Sequence, residues 1–195
     1  MLNAPEASPQ TVAETDVARW LTAARNGDAD AFRRIVETYQ RAVYGIAYRM
    51  TLNHADADDL AQDAFVALWS AIESIDTARP LLPWLRRTTI NRCINWLARK
   101  RRRAEAALDP DVISASPAVQ SRQPAPSDRM QEQEAQARIR NALETLSPDW
   151  QATFVLRTHA GLSYQQIANE MNCSIGTVMS RLHRVRVALK DALKA

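Results

Sequence analysis

The chain has 195 residues, enough for one large or two small domains, and a formal net charge of only +3. With four glycines and no alternating apolar pattern, it is predicted to be all-α and not β-rich. No run of about 18 apolar residues occurs, which excludes a membrane-spanning helix. The N-terminus carries acids and prolines and does not resemble a secretory signal, so we expect a cytoplasmic protein with no direct membrane insertion.

The sequence offers no catalytic or metal-binding motif. Cys93 and Cys173 each lack a second cysteine or a histidine at metal-ligand spacing, and both are predicted to be free intracellular thiols. No Gly-rich phosphate loop, nucleophile–base pair or His–Glu motif is present. We therefore expect no metal, no cofactor and no enzymatic activity.

Four helices are predicted in the first half of the chain, after a polar N-terminus of residues 1–14 that we expect to be disordered. Gly27 ends the first helix, and Asp28 caps the second. Two prolines place a loop before the fourth helix. The predicted helices are approximately Asp16–Asn26, Asp28–Thr51, Ala55–Ile75 and Trp84–Arg103, and the loop is Asp76–Pro83.

Charge is separated along this first domain, residues 15–103. The stretch from Asn53 to Asp76 holds six acids and no Lys or Arg. The stretch from Trp84 to Arg103 holds eight bases and no acid. A protein that contacts both a phosphate polymer and a protein partner is expected to carry two such surfaces.

Residues 104–127 change in character. Four prolines lie there among Ser, Ala, Gln and Asp without any periodic apolar set, which predicts a flexible linker. A second helical domain is predicted over residues 128–195. Ser147 and Pro148 have the order of an N-cap and a first helical residue, and Gly161 ends that helix.

The last segment predicts a helix-turn-helix. Ser163 and Gln166 have the spacing of a capping box at the start of a short helix, and Asn172–Cys173 leaves room only for a tight turn. Ser174 then caps a longer helix, whose exposed N-terminal half carries Thr, Ser, Arg and His. Such a helix suits the major groove of DNA. The apolar stripe of the longer helix is predicted to be Val178, Leu182, Val185, Leu189 and Leu193.

Three stretches together resemble a known family. They are DADDLAQDAFVALW (56–69), PWLRRTTINRCINWLARKRRR (83–103) and LSYQQIANEMNCSIGTVMSRLHRVR (162–186). In this order they resemble regions 2 and 4 of the extracytoplasmic-function (ECF) sigma factors of the sigma-70 family. The resemblance implies two small helical domains, a four-helix region 2 and a helix-turn-helix region 4. It further implies a subunit that binds core RNA polymerase, recognises the −35 and −10 promoter elements and helps to open the duplex.

The resemblance also implies residue roles. In region 2 an acidic face would dock on the clamp helices of the largest polymerase subunit, although we expect Phe65 to be mainly core. The basic helix would contact the −10 element, while the loop from Ser74 to Pro83 would capture a flipped base. The polymerase-binding positions are Asp58, Asp59, Gln62, Asp63, Phe65 and Trp69. The −10 positions are Arg86, Arg87, Asn91, Arg92, Asn95, Arg99 and Lys100.

Region 4 would read the −35 element. Met179 stands where the family often has Lys or Arg, so the preferred −35 sequence is expected to differ or that contact to be absent. Leu81 stands at a loop position that is often aromatic in the family, which weakens the expectation of a base-capture pocket. The −35 positions are Thr177, Met179, Ser180, Arg181, His183 and Arg184.

Two alternatives stay open from the sequence. A conventional helix-turn-helix regulator with an N-terminal sensor or dimerisation domain accounts for residues 163–186 but not for the acidic and basic helices. A helical interaction protein, such as an anti-sigma-like adaptor, predicts no DNA selectivity and leaves the arginine cluster without a role. By analogy with the family, an anti-sigma factor is a possible further partner.

Overall fold

A computed structural model describes residues 13–107 and 137–194. These two ranges are helical throughout apart from short connections, and they contain no strand, which confirms the all-α prediction. The expectations for residues 1–12 and 108–127 lie outside the described residues, whereas 104–107 continue a helix. The helices are α1 (Glu14–Arg25), α2 (Ala29–Thr51), α3 (His54–Ala71), a 3₁₀ turn (Ile72–Ser74), α4 (Leu81–Ala107), α5 (137–145), α6 (Pro148–Thr158), α7 (Tyr164–Glu170) and α8 (Ile175–Lys194).

The helix boundaries in the first domain follow local caps. Gly27 adopts φ +89° after α1, a conformation that favours glycine. The Asp28 carboxylate then accepts hydrogen bonds from the backbone N–H groups of Asp30 and Ala31 at 2.9 and 3.0 Å. Asn53 caps α3 in the same manner through the N–H of Asp56, at 3.1 Å. These polar side chains satisfy helix-end donors that would otherwise lack partners.

The start of α4 differs from the prediction. The helix begins at Leu81, not near Trp84, and includes Pro83 in its first turn. A proline is compatible with that turn because its missing N–H has no intrahelical acceptor there. Leu81 is therefore a helical core residue, only 2% exposed, and not a loop residue. At its other end α4 continues past Arg103 to Ala107.

The first domain buries one apolar face from each of its helices. Burying one such side chain contributes roughly 1.5–3 kcal/mol to the free energy of unfolding. Its core residues include Val17, Leu21, Ile35, Val43, Phe65, Leu68, Leu81 and Leu85.

The second domain packs α6 and α7 against α8. Leu156 and Ile167 are fully buried, and Val178, Leu182 and Val185 of α8 are buried as predicted. The prediction of a buried stripe is wrong at the C-terminal end of α8, where Leu193 is 55% exposed. The reason is length: α8 has 20 residues, whereas α6 and α7 have 11 and 7 and do not cover its last turns.

The two domains pack against each other. Ile46, Met50 and Ile90 of the first domain share one apolar cluster with Val155 and Leu156 of the second. The sequence predicted two domains but contained no periodic signal for this contact. The contact brings α6 and α7 beside α2 and α4.

Candidate nucleic-acid interface

The helix-turn-helix is held by the predicted caps. The Gln166 N–H donates to Ser163 Oγ at 3.3 Å, and the Ser163 N–H donates to Gln166 Oε1 at 2.8 Å, which completes the capping box. Asn172 makes the turn with φ +49°. Ser174 Oγ then accepts from the Thr177 N–H at 3.1 Å at the start of α8. These caps set where α7 begins and where α8 begins, while Ile167 of α7 and Val178 of α8 pack in one apolar cluster.

The N-terminal half of α8 presents most of the predicted −35 residues to solvent. Met179, Ser180, His183 and Arg184 are exposed, whereas Thr177 is half-buried. Two of the arginines have intramolecular partners. The Arg181 guanidinium lies 3.3 Å from the Asp149 carboxylate, and the guanidinium of Arg184 lies 5.0 Å from the ring centre of Trp150.

Ile175 is an exposed apolar residue on this surface that the sequence reasoning missed. Ile175 is 40% exposed and Met179 is 55% exposed, and the two lie four residues apart on α8. Residues at that spacing are neighbours on one helix face. The available signal was an apolar pair outside the buried stripe of Val178 and Leu182. Apolar side chains at this place can contact the C5-methyl group of thymine.

The predicted −10 residues lie along α4, but they differ in solvent exposure and in whether they have an intramolecular partner. Arg87, Asn91, Asn95, Arg99 and Lys100 are exposed. Lys100 has its ammonium 4.7 Å from the ring centre of Trp96.

Two other arginines of that set are engaged. The guanidinium of Arg92 lies 3.6 Å from the Asp63 carboxylate. Arg86 forms an ion pair with Glu170 of α7, a residue that the sequence reasoning did not consider.

A cleft of about 510 Å³ lies where the connection after the 3₁₀ turn meets α4. Ile75, Pro80, Trp84 and Arg87 line it, so an apolar floor and an aromatic ring stand beside a cation. This combination suits an unstacked base with its phosphate. Leu81 also contributes to the lining from the first turn of α4.

The acidic residues of α3 lie together on one face. Asp58, Asp59, Gln62 and Asp63 are exposed, next to Trp69, which is 48% exposed. An acidic rim around an exposed aromatic side chain is a plausible surface for a basic protein partner.

The two aromatic residues of that helix differ in their burial. Phe65 is only 8% exposed and belongs to the core, as expected. Trp69 rests edge-on against Phe32, with ring centres 4.9 Å apart. This contact orients the indole while leaving part of it in solvent, so Trp69 is the better candidate for a surface anchor.

Both cysteines are free thiols, as predicted. Cys93 is fully buried, and burial raises the pKa of its thiol to about 12. Within residues 13–107 and 137–194, no group of three or more His, Cys, Asp or Glu side chains is arranged to hold a metal ion. In the same residues, no helix is long and apolar enough to cross a membrane.

Comparison with known families matches both halves of the chain. Residues 35–103 match the family Sigma-70 region 2, and residues 136–189 match Sigma-70, region 4. These matches define a DNA-binding protein of the sigma-70 type. They cover the acidic and basic helices as well as the helix-turn-helix, which favours a sigma factor over a conventional regulator.

Full-length relatives identify the group within that class. The RNA polymerase sigma-H factor of Pseudomonas aeruginosa is 31% identical over 174 residues, covering 87% of this chain and 90% of that protein. The ECF RNA polymerase sigma factor SigW of Bacillus subtilis is 31% identical over 175 residues, with coverages of 87% and 92%. The chain belongs to the ECF sigma factors of the sigma-70 family. It is an RNA polymerase sigma factor, the subunit that recognises promoter elements for transcription initiation.

Solved structures of the same fold are also similar. The sigma factor RpoE of Bartonella quintana, crystallised with the anti-sigma factor NepR, is 27% identical with a TM-score of 0.58 and covers 84% of this chain and 97% of its own. CnrH, solved with the cytosolic domain of CnrY, has a TM-score of 0.61 at 24% identity and covers 92% and 97%. The likeness to CnrH shows the fold.

Proposed function

We propose that three separate surfaces carry the sigma-factor activity: α3 docks on core polymerase, α4 with the preceding cleft engages the −10 element, and α8 reads the −35 element. In domain terms, residues 15–103 act as region 2 and residues 128–195 as region 4, joined by 104–127. The observation that carries the proposal is the exposed N-terminal half of α8. It is the second helix of a helix-turn-helix whose first helix, α7, begins with a complete capping box.

The α3 surface fits the clamp helices of the largest polymerase subunit. Asp58, Asp59, Gln62 and Asp63 supply an acidic rim, and Trp69 supplies an apolar anchor beside it. Aromatic anchors inside a polar rim are typical of protein interfaces. Phe65 supports this face from the core and shapes it indirectly.

The α4 surface combines cations with hydrogen-bonding amides. Arg87, Arg99 and Lys100 are placed to contact phosphates, and Asn91 and Asn95 to contact base edges. Trapping an unpaired base requires a pocket with an aromatic surface, which Trp84 and the cleft before it supply. Arg86 and Arg92 join this set once their carboxylate partners are exchanged for phosphates.

The α8 surface reads the major groove. Arg181 and Arg184 are the residues suited to guanine edges or phosphates, while Thr177, Ser180 and His183 add hydrogen-bonding groups. Met179, with Ile175 beside it, gives this reader an apolar component instead of the cation common in the family.

An anti-sigma factor is a proposed further partner. The Bartonella quintana RpoE structure contains one, and that sigma factor shares 27% identity with this chain. We also place the protein in the cytoplasm, where promoter DNA and polymerase are found, and assign it no catalytic activity of its own.

Transcription in vitro with purified core polymerase tests the proposal. Promoter-dependent transcripts that require this chain, together with a footprint over two unlike elements, are expected. Core polymerase without the chain is the control. Tight binding to a palindrome by the chain alone, without any effect of core polymerase, would instead indicate a conventional regulator.

A further inference from the structure

The two proposed DNA-binding surfaces are tied to each other by a paired carboxylate. Glu170, at the end of α7, accepts hydrogen bonds from Arg86 of α4: Nη2 to Oε1 at 2.6 Å, Nε to Oε1 at 3.0 Å and Nε to Oε2 at 3.3 Å. The two side chains are only 14% and 11% exposed. A guanidinium paired with both oxygens of a carboxylate in this way is not available to a phosphate.

The C-terminal end of α7, which carries Glu170, also narrows the cleft before α4 that suits a flipped base. Asn169 and Glu170 line the cleft together with Trp84 and Arg87. An unpaired base entering the cleft would therefore meet α7 of the second domain. A promoter phosphate near Arg86 would also meet the negative charge of Glu170.

Other contacts hold the second domain in this position. Arg101, near the end of α4, donates to the backbone carbonyls of Glu144, at 2.8 Å, and Leu146. Gly45 of α2 lies so close to His159 that a Cβ atom at Gly45 would stand 2.6 Å from the His159 Nε2 atom. The apolar cluster shared by α2, α4 and α6 completes the contact.

This arrangement cannot span a promoter. The −35 and −10 elements are about 25 base pairs apart, which at roughly 3.4 Å per base pair is about 85 Å of duplex. Arg86 and Glu170 are instead in direct contact, although they belong to the two domains that read those elements. The domains must therefore separate before both elements can be read.

We propose that Glu170 is a built-in competitor of promoter DNA, whose carboxylate occupies the phosphate position on Arg86 and holds the free sigma factor in a closed, DNA-excluding state. The proposal rests on the proposed −10 role of Arg86. Opening exchanges the Arg86–Glu170 pair for an Arg86–phosphate pair. A change that removes the Glu170 charge favours the open state and leaves Arg86 free for DNA.

The first test measures binding of a short, fluorescently labelled single-stranded DNA of random sequence to the full-length chain. Glu170→Gln should tighten binding by about threefold or more, because apparent affinity scales with the fraction of binding-competent molecules. Glu37→Gln removes an equal charge from an exposed position on α2 and serves as the matched control. Equal affinities of the two variants would overturn the proposal.

The second test reads the distance between the domains by resonance energy transfer. Dyes are attached at Ser70→Cys and Lys190→Cys, both exposed positions, in a chain that also carries Cys173→Ser and Cys93→Ala, because Cys93 belongs to the apolar cluster shared by the two domains. Energy transfer should fall in Glu170→Gln relative to the parent. It should recover in the charge-swapped chain Arg86→Glu with Glu170→Arg, which restores the ion pair but repels phosphate. Unchanged transfer in Glu170→Gln counts against the closed state.

Arg86→Ala, introduced into the Glu170→Gln chain in which the ion pair is already absent, separates this inference from the function on which it rests. If Arg86→Ala does not weaken DNA binding, the −10 role of Arg86 is wrong, and the competition falls with it. If Arg86→Ala weakens binding but Glu170→Gln does not tighten it, only the competition by Glu170 is wrong.

Discussion

The guanidinium of Arg92 lies 3.6 Å from the carboxylate of Asp63, so the helix proposed to contact DNA is joined to the helix proposed to contact polymerase. The side chains are 36% and 59% exposed. An ion pair this open to solvent contributes about 0–1 kcal/mol to stability. Both side chains are therefore available to exchange partners. Substitution at Asp63 tests binding to core polymerase without destroying the fold.

Asp58→Arg combined with Asp63→Arg is expected to abolish binding to core polymerase, because it reverses the charge of the proposed acidic rim. Since both positions are exposed, the unfolding free energy should change by no more than about 1 kcal/mol. Co-purification with core polymerase and urea unfolding check the two parts. Glu105→Arg with Glu144→Arg introduces the same charge away from α3 and should retain binding. Full core binding by the α3 variant would exclude this face as the dock.

Arg181→Ala and Arg184→Ala should each weaken binding to the −35 element by about 1–3 kcal/mol if these arginines read bases. Binding of holoenzyme to duplexes with single −35 substitutions is the measurement, because loss of base reading relaxes preference at one position. Lys190→Ala removes the same charge from an exposed site farther along α8 and is the control. A uniform loss across all duplexes would assign the arginine to phosphate contact and not to base reading.

Met179 predicts an apolar contact in the −35 element. Replacing a contacted thymine by deoxyuridine removes one methyl group, which should cost about 0.8 kcal/mol, or about fourfold in affinity. Met179→Ala should lose this sensitivity to the methyl group. Met179→Lys should instead steepen the salt dependence by about one counterion, because lysine contacts phosphate. If no thymine in the element shows a methyl effect with the parent chain, the apolar contact is absent.

The sequence was sufficient wherever a local pattern determines the structure. The capping box of Ser163 and Gln166 and the cap at Asp28 both have side-chain hydrogen bonds that depend only on residues a few positions apart. The candidate surface on α8 followed from helical periodicity for the same reason, whereas the positions on α3 came from the resemblance to region 2. The start of α4 at Leu81 was missed because proline signals both a loop and a first helical turn.

The contact between the domains could not be predicted in this way. Arg86 and Glu170 are 84 positions apart. Arginine and glutamate are also common on exposed surfaces, so nothing in the sequence marks these two residues as partners. Their pairing depends on the packing of α6 against α2 and α4, which no single helix encodes. The exposed pair of Ile175 and Met179 was within reach, since its spacing of four residues departs from the buried stripe of α8.

Cys93 predicts a measurable dependence of stability on pH. Burial raises the pKa of its thiol from 9.0 to about 12, so the folded chain keeps the proton over a range in which the unfolded chain loses it. The unfolding free energy should therefore fall as pH rises from 9.0 towards about 12, because the unfolded chain releases the thiol proton while the folded chain keeps it. Urea unfolding at pH 8 and pH 10 measures the fall.

The control is Cys93→Ala, which lacks the titrating group. Its stability should be lower at both pH values because of the cavity left at a fully buried site, but its fall between pH 8 and pH 10 should be smaller than that of the parent chain. A thiol reagent gives an independent readout, because only the thiolate reacts. At pH 8 the half-buried Cys173 should react in the native chain, while Cys93 reacts only when the domains separate or the chain unfolds. Fast modification of Cys93 in the native Cys173→Ser variant would contradict its burial and the raised pKa together.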